Sequence, residues 1–242
     1  MSTILISGAS SSLAADIVSR YKKSKHRLIL LFRTLDKKTI KEYKHKDYVL
    51  LEGDINIEKN FNKIEKFFLN KSININFAIH FNGVHSFKTI KLIKNEDFKN
   101  VYDANVLSFI NFVKLITKIN LSKNLESILT ISSVSSLKGN KAISLYSSSK
   151  SSLNNLVKSF ALELSQRKIR VNSVNLGHIH SGMGLEYQKN FGKSLYQELE
   201  KKHPLGFGNT KDLFHIIEFL SNKTKARWIT GANINLDGGY SI

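Results

Sequence analysis

A chain of 242 residues, 41% of them hydrophobic, is long enough for one well-filled core and sits near the size at which single cores stop growing, so one domain over 1–242 is expected. The absence of cysteine excludes disulfides, thiolate nucleophiles and cysteine-ligated metals and suits a reducing, cytoplasmic setting, and a single proline, Pro204, leaves no proline-rich linker. The net charge of +18 would suit acidic partners, but the lysines are scattered over every predicted helix (Lys22, Lys23, Lys37, Lys38, Lys66, Lys114, Lys158, Lys223) and no basic stretch is interleaved with aromatics, so the charge reads as a solvated surface and no nucleic-acid partner is expected.

The start of the chain has no basic region before its apolar run, and no stretch approaches the ~18 apolar residues of a membrane span, so neither a secretion signal nor a membrane partner is expected. Short apolar, β-branched runs then alternate with stretches at helical spacing. The predicted strands are Thr3–Ser7, Arg27–Phe32, Tyr48–Glu52, Asn76–His80, Ser127–Ser132, Arg170–Leu176 and Ala232–Leu236. Between them Leu13, Ile17 and Tyr21 form one helical stripe, and Leu153, Leu156, Phe160 and Leu164 another. Seven strands with intervening helices predict an α/β, Rossmann-type doubly wound parallel sheet with helices on both faces. Ligands of such sheets bind beyond the carboxyl ends of the strands, so the residues just after each strand are where chemistry is sought.

The first strand runs into Ser7-Gly8-Ala9-Ser10-Ser11-Ser12-Leu13-Ala14, whose small side chains let backbone N–H groups and a helix N-terminus approach a pyrophosphate. A serine-rich helix cap is the plainer reading of the same residues. Asp54, after the third strand, either accepts from an adenine amino group or caps a helix starting near Asn56. Tyr146 and Lys150 stand at i and i+4 of one helix face, where an ammonium beside a phenol favours the phenolate and makes it a usable proton donor and acceptor. Ser133, just past the fifth strand, has a hydroxyl that could hold a substrate oxygen against Tyr146. The neighbouring serines Ser147, Ser148, Ser149, Ser151 and Ser152 read as polar filler without chemistry. His178 and His180 lack the further ligands that zinc needs, so no metal is expected and they are assigned to the cofactor or substrate mouth.

In order and spacing these residues resemble the short-chain dehydrogenase/reductase family over essentially the whole chain, and most closely its 3-oxoacyl-carrier-protein reductase-like members. Ser7 to Ala14 resembles the family's TGxxxGxG loop, Asp54-Ile55 its adenine-binding Asp-Val, and Phe81-Asn82-Gly83 the end of its NNAG. Asn105 falls on the helix asparagine, Ser133 on the catalytic serine, and Tyr146 and Lys150 on YxxxK. Arg170 to Gly177 with Ile179 and Ser181 resembles RVNxxxPG-x-I-x-T, whose last hydroxyl holds the nicotinamide carboxamide. His203-Pro-Leu-Gly206 resembles PLGR, and Thr230-Gly231 through Asp237-Gly238-Gly239 resembles TG…DGG. The departures are Ser12 and Ala14 for two loop glycines, His80 and Phe81 for two asparagines, Leu176 for a proline, and the missing arginine of PLGR.

The resemblance implies a dinucleotide-binding half over 1–120 and a catalytic half over 121–242, with a substrate lid near 184–203 carrying Tyr187, Lys189, Phe191, Lys193, Lys201 and Lys202. It implies hydride transfer between a nicotinamide and a carbonyl or alcohol substrate: Tyr146 protonates the oxygen, Ser133 positions it, Lys150 lowers the Tyr146 pKa and binds ribose, and Asn105 holds a water leading from Lys150 to solvent. The cofactor residues so implied are Gly8, Ser10, Ser11, Leu13, Arg33, Asp54, Ile55, Asn82, Gly83, Tyr146, Lys150, Ile179 and Ser181. After the second strand comes Arg33-Thr34 with no carboxylate until Asp36, which suits a 2′-phosphate and predicts NADP(H) over NAD(H), an ordinary surface arginine being the plainer reading. The expected substrate is a 3-oxoacyl thioester, with an acyl-carrier-protein link as one form. A sugar or nucleotide-linked sugar reductase and a non-catalytic dinucleotide-binding regulator are the alternatives. A homodimer or homotetramer is expected, with Phe109, Phe112 and Leu156 as interface residues.

Overall fold

The computed structural model describes residues 2–22, 24–118, 123–181 and 183–242, and the side chains of all of these except 183–191. Lys23 and the side chains of Tyr187, Lys189 and Phe191 lie outside the described residues. Seven strands, β1 (Thr3–Ser7), β2 (Arg27–Phe32), β3 (Tyr48–Glu52), β4 (Phe77–His80), β5 (Ser127–Ser133), β6 (Arg170–Leu176) and β7 (Asn233–Leu236), form one sheet in the order β3-β2-β1-β4-β5-β6-β7. Every pairing is parallel. The order reverses between β1 and β4, and that switch opens the cleft in which ligands of such sheets bind.

The helices are α1 (Ser12–Tyr21), α2 (Lys37–Glu42), α3 (Glu58–Asn70), α4 (Asn95–Tyr102), α5 (Ser108–Ile116), α6 (Ser144–Leu164), α7 (Met183–Lys201) and α8 (Thr210–Ser221). They cover both faces of the sheet, which is why the strands read as continuous apolar runs rather than as alternations. Ile4, Ile6, Leu28 and Leu30 point to one face with Ala14, Ile17 and Val18 of α1 and Leu213 and Ile217 of α8. Their neighbours Leu5, Ile29 and Leu31 point to the other, with Phe61 and Phe68 of α3, Phe109 and Phe112 of α5 and Leu153 and Val157 of α6.

That second layer corrects one expectation. Phe109 and Phe112 are fully buried within the chain, because the face of α5 that carries them lies on the sheet, so they are core residues rather than a surface for another subunit. Leu156 is partly buried against the same core. Among the described residues no helix is long and apolar enough to cross a membrane.

Candidate active site

Two adjoining segments, the end of β5 and the start of α6, carry three of the residues expected from sequence to be catalytic. β5 ends at Ser133, and the one-turn helix that follows is capped by the Ser133 Oγ, which accepts from the Ser135 N–H at 3.1 Å. α6 brings Tyr146 and Lys150 to the same place on one helical face, and both are buried. The Ser133 hydroxyl lies near enough to the Tyr146 phenol to act on its proton affinity. Lys150 Nζ donates to the Ile131 carbonyl at 2.8 Å and stands 5.8 Å from the Tyr146 ring centre.

Asn105 sits in a π-helical turn, Asp103–Leu107, joining α4 to α5. Its Oδ1 accepts from the Val84 N–H at 2.7 Å, and its amide nitrogen donates to the Val84 carbonyl at 3.1 Å and to Ser149 Oγ at 2.8 Å. These bonds fasten the loop after β4 beneath the lysine: a methyl placed on Gly83 would stand 3.2 Å from Lys150 Nζ and 3.4 Å from Asn105 Oδ1. Ser149 also donates to the Tyr146 carbonyl at 2.7 Å, so the serine run read as filler contains one fully buried residue that ties Asn105 to α6. The available signal was its place on the same helix, three residues after Tyr146.

The electrostatics depart from expectation. Burial pushes the Tyr146 phenol up to about 12, and the Ser133 hydroxyl only partly opposes it. Burial also draws the Lys150 ammonium down to about 8. Desolvation is the dominant influence on the phenol, and the Lys150 ammonium donates to the Ile131 carbonyl.

His80 answers the loss of the two asparagines. Fully buried, it hydrogen-bonds Thr130 Oγ1 at 3.0 Å and Ser108 Oγ at 2.9 Å. Ser108 spends its own proton on the Ala104 carbonyl at 2.6 Å, so His80 Nε2 must carry a hydrogen and Nδ1 must accept from Thr130. One neutral imidazole thus bonds β4 to β5 and to the start of α5. Phe81 joins the apolar layer instead.

At the other end of the cleft Gly8 has φ +70°, and a Cβ there would come within 2.7 Å of the Asn82 backbone nitrogen and 2.9 Å of its Oδ1. Ser11 is the N-cap of α1, accepting from the Ala14 N–H at 3.2 Å, while Ser10 and Ser12 are exposed and Leu13 is half-buried. Ala14 is fully buried in the core, so its methyl points away from the cleft. Asn82 Oδ1 and Ser7 Oγ are buried without a hydrogen-bond partner among the described residues. A glycine cradle, a helix N-terminus and orphaned polar atoms fit the residues to a nicotinamide dinucleotide.

Arg33 is exposed immediately after β2, and Asp36 is spent capping α2, accepting from the Thr39 N–H at 2.7 Å. Asp54 accepts from the Asn56 N–H at 2.9 Å in a turn before α3, whose N-cap is Ile57. That replaces the helix-cap reading of Asp54, while Ile55 beside it is buried. Ile179 is buried and bridges Gly208. The Ser181 hydroxyl donates to Asp16 Oδ2 on α1 at 3.2 Å, a partner that sequence reading did not foresee.

His178 and His180 meet aromatic neighbours, and among the described residues no group of three metal-ligating side chains gathers. His180 Nδ1 hydrogen-bonds the Tyr196 hydroxyl at 2.8 Å, and His203 bonds the Leu199 carbonyl through Nδ1 at 2.9 Å and receives the His178 N–H on Nε2 at 3.3 Å. Phe207 packs on His178 with ring centres 4.1 Å apart. These contacts tie the end of α7 to the segment after β6. α7 itself breaks at Gly192, where φ is +82°.

A family model described as enoyl-(acyl carrier protein) reductase matches residues 8–241. The chain is 29% identical over 239 residues to the 3-oxoacyl-(acyl-carrier-protein) reductase FabG of Buchnera aphidicola subsp. Schizaphis graminum, covering 98% of this chain and 96% of that one. It is 30% identical over 202 residues to the 3-oxoacyl-(acyl-carrier-protein) reductase of Bos taurus, covering 81% and 79%. Among solved structures it is similar to a 4-hydroxyisoleucine dehydrogenase complexed with NADH, at 26% identity and TM-score 0.89 over 99% of this chain and 98% of that one. It also shares the fold of a 3-ketoacyl-(acyl-carrier-protein) reductase of Brucella melitensis complexed with NADH, at 21% identity and TM-score 0.84 over 100% and 98%.

Proposed function

The chain belongs to the short-chain dehydrogenase/reductase family, and on that premise we propose that it reduces a 3-oxoacyl thioester, with Tyr146 as proton donor, Ser133 and Lys150 beside it, and NADP(H) as the preferred coenzyme. The observation that carries the reading is the gathering of the buried Tyr146, Ser133 and Lys150 at the end of β5 and the start of α6, with Lys150 Nζ 5.8 Å from the Tyr146 ring centre.

Gly8, Ser10, Ser11, Leu13, Asp54, Ile55, Asn82, Gly83, Ile179 and Ser181 would hold the dinucleotide, with Tyr146 and Lys150 beside its nicotinamide end and Arg33 beside its ribose phosphate. When bound, the nicotinamide supplies or accepts the hydride. The chain's own work is proton work. Tyr146 gives its phenolic proton to the substrate oxygen, and its raised pKa keeps that proton in place until the substrate oxygen takes it. Ser133 holds that oxygen and shares the developing charge. Lys150 puts a cation behind the phenol as it becomes phenolate. Asn105 and Ser149 fix the loop and helix that carry these groups.

The 3-oxoacyl substrate is supported by the names of the relatives in Buchnera aphidicola and Bos taurus. The test is a spectrophotometric assay of NADPH and NADH oxidation with acetoacetyl-coenzyme A and an acetoacetyl carrier protein. Turnover with a 3-oxoacyl thioester at least tenfold more efficient than with a simple ketone supports the reading, and turnover of sugars alone overturns it. The preference for NADP(H) is supported by Arg33 and by the engagement of Asp36 in its cap. NADH is favoured by one contact, the Glu52 carboxylate accepting from the Leu35 N–H at 3.1 Å, which brings a negative charge into the same loop. A homodimer or homotetramer belongs to the same proposal, now through exposed apolar residues of α4, the π turn and α6 such as Phe98, Leu107 and Leu162. A single-chain mass by light scattering at micromolar concentration refutes it.

A further inference from the structure

His85 lies two residues past Gly83, on the loop that Asn105 fastens. Its ring centre is 4.0 Å from that of Tyr146 at 30° between planes, and Phe87 stacks on it at 5.5 Å and 13°. The imidazole is therefore the wall against which the phenol rests. Its Nδ1 is buried and has no hydrogen-bond partner among the described residues. Buried polar atoms in folded proteins are almost always paired, so an orphan beside a reactive group is either a defect or a place kept for a ligand atom. The polar groups nearest in the chain and across the site are engaged elsewhere, the Val84 N–H and carbonyl with Asn105 and the Lys150 ammonium with the Ile131 carbonyl. Burial and the nearby Lys150 cation hold the ring neutral, with a pKa of about 4, so across neutral pH it is a hydrogen-bonding group and not a charge.

We propose that His85 is a specificity-determining residue whose Nδ1 hydrogen-bonds a second oxygen of the substrate, on a carbon next to or once removed from the reacting carbonyl. The inference rests on the assignment of Tyr146 as the group that meets the carbonyl oxygen. A site with a buried hydrogen-bonding group in place rejects analogues that lack its partner, because that group is then left unpaired.

Ethyl acetoacetate, which carries a second carbonyl oxygen, and 2-hexanone, which does not, are the probes. Three proteins are compared: the wild type, His85→Phe, which keeps a flat ring on Tyr146, and His85→Gln, which keeps hydrogen bonding without the ring. The expected ratio of kcat/KM for ethyl acetoacetate over 2-hexanone falls roughly tenfold in His85→Phe and recovers in His85→Gln. An unchanged ratio in His85→Phe overturns the proposal. A second readout is free of turnover: the ¹⁵N resonance of His85 Nδ1 in Tyr146→Phe, titrated with each probe. A shift with ethyl acetoacetate but not with 2-hexanone supports the contact even if neither compound is reduced, in which case it is the catalytic reading that fails. No shift with ethyl acetoacetate overturns the contact even if both compounds are reduced.

Discussion

At the catalytic end of the cleft every expected side chain is buried and tied. Ser133 caps the turn after β5, Lys150 holds the Ile131 carbonyl, and Asn105 joins Val84 to Ser149. At the end proposed to hold the adenosine Arg33 and Ser10 stand in solvent, and the fixed elements are backbone features: the positive φ of Gly8, the cap at Ser11 and the turn at Asp54. The difference teaches where selectivity can change cheaply. A buried network makes each member depend on the others, so its composition is constrained by stability as well as by chemistry. An exposed end built from backbone accommodates Ser12 in place of a glycine, Ala14 turning its methyl into the core, and on the proposed reading coenzyme choice would rest on one or two surface side chains.

The largest expected break in this contrast is Tyr146→Phe. It keeps the ring that packs on His85 and removes the phenolic proton, so coenzyme binding, followed by titration calorimetry, should persist while turnover falls by ~10²–10⁴-fold. Activity within a few-fold of wild type would mean that the buried end is scaffolding only. Next in size is Arg33→Ala at the exposed end. A charge-assisted bond from Arg33 to a 2′-phosphate, worth ~1.5–3 kcal/mol, implies roughly a 10- to 150-fold preference for NADPH. The variant should lose most of that preference with NADH kinetics nearly unchanged. Wild-type efficiency equal or better with NADH would transfer the decision to Glu52.

Why one end was readable and the other was not follows from sequence distance. Strand spans came directly from the apolar runs because helices cover both faces of the sheet, and all seven were expected within a residue of where they lie. Tyr146 and Lys150 were readable because i,i+4 spacing is local. The partners that position them come from afar: Ser149 meets Asn105 across 44 positions, and Ser181 meets Asp16 across 165. No local pattern encodes such pairs. The same limit misplaced Phe109 and Phe112, since an apolar helix face states that it is covered but not by what. His85 carried no signal in sequence, because only the folded loop sets it against Tyr146.

The pH dependence separates the two buried ionisable groups by direction of reaction. In reduction Tyr146 must be protonated, and with its pKa raised to about 12 it remains so across the working range. Lys150, drawn down to about 8, is a cation below that pH and loses its proton above it. Reductive kcat/KM should therefore be level near neutrality and fall above about pH 8, approaching tenfold per unit if the cation is essential. Oxidation needs the phenolate, which becomes more populated as pH rises toward 12, so its profile should lie to the alkaline side of the reductive one. A reductive profile level to pH 10 would show that the charge on Lys150 contributes nothing.

The smallest effect tests the exposed end. If the Ala14 methyl packs in the core beneath α1, as its full burial indicates, Ala14→Gly affects folding and not the ligand. The helix loses ~1 kcal/mol of propensity and the core about 0.8 kcal/mol of methyl burial. For a chain of this size that amounts to a fall of roughly 4–7 °C in Tm by scanning calorimetry. Coenzyme affinity, measured on the same protein, should move by less than about threefold, since the backbone N–H groups at the helix N-terminus stay in place. Ser12→Gly, at an exposed position with no core contact to lose, should change Tm less than Ala14→Gly does. A tenfold gain in coenzyme affinity from Ala14→Gly would instead place the methyl against the pyrophosphate and make the glycine substitutions a cost to binding.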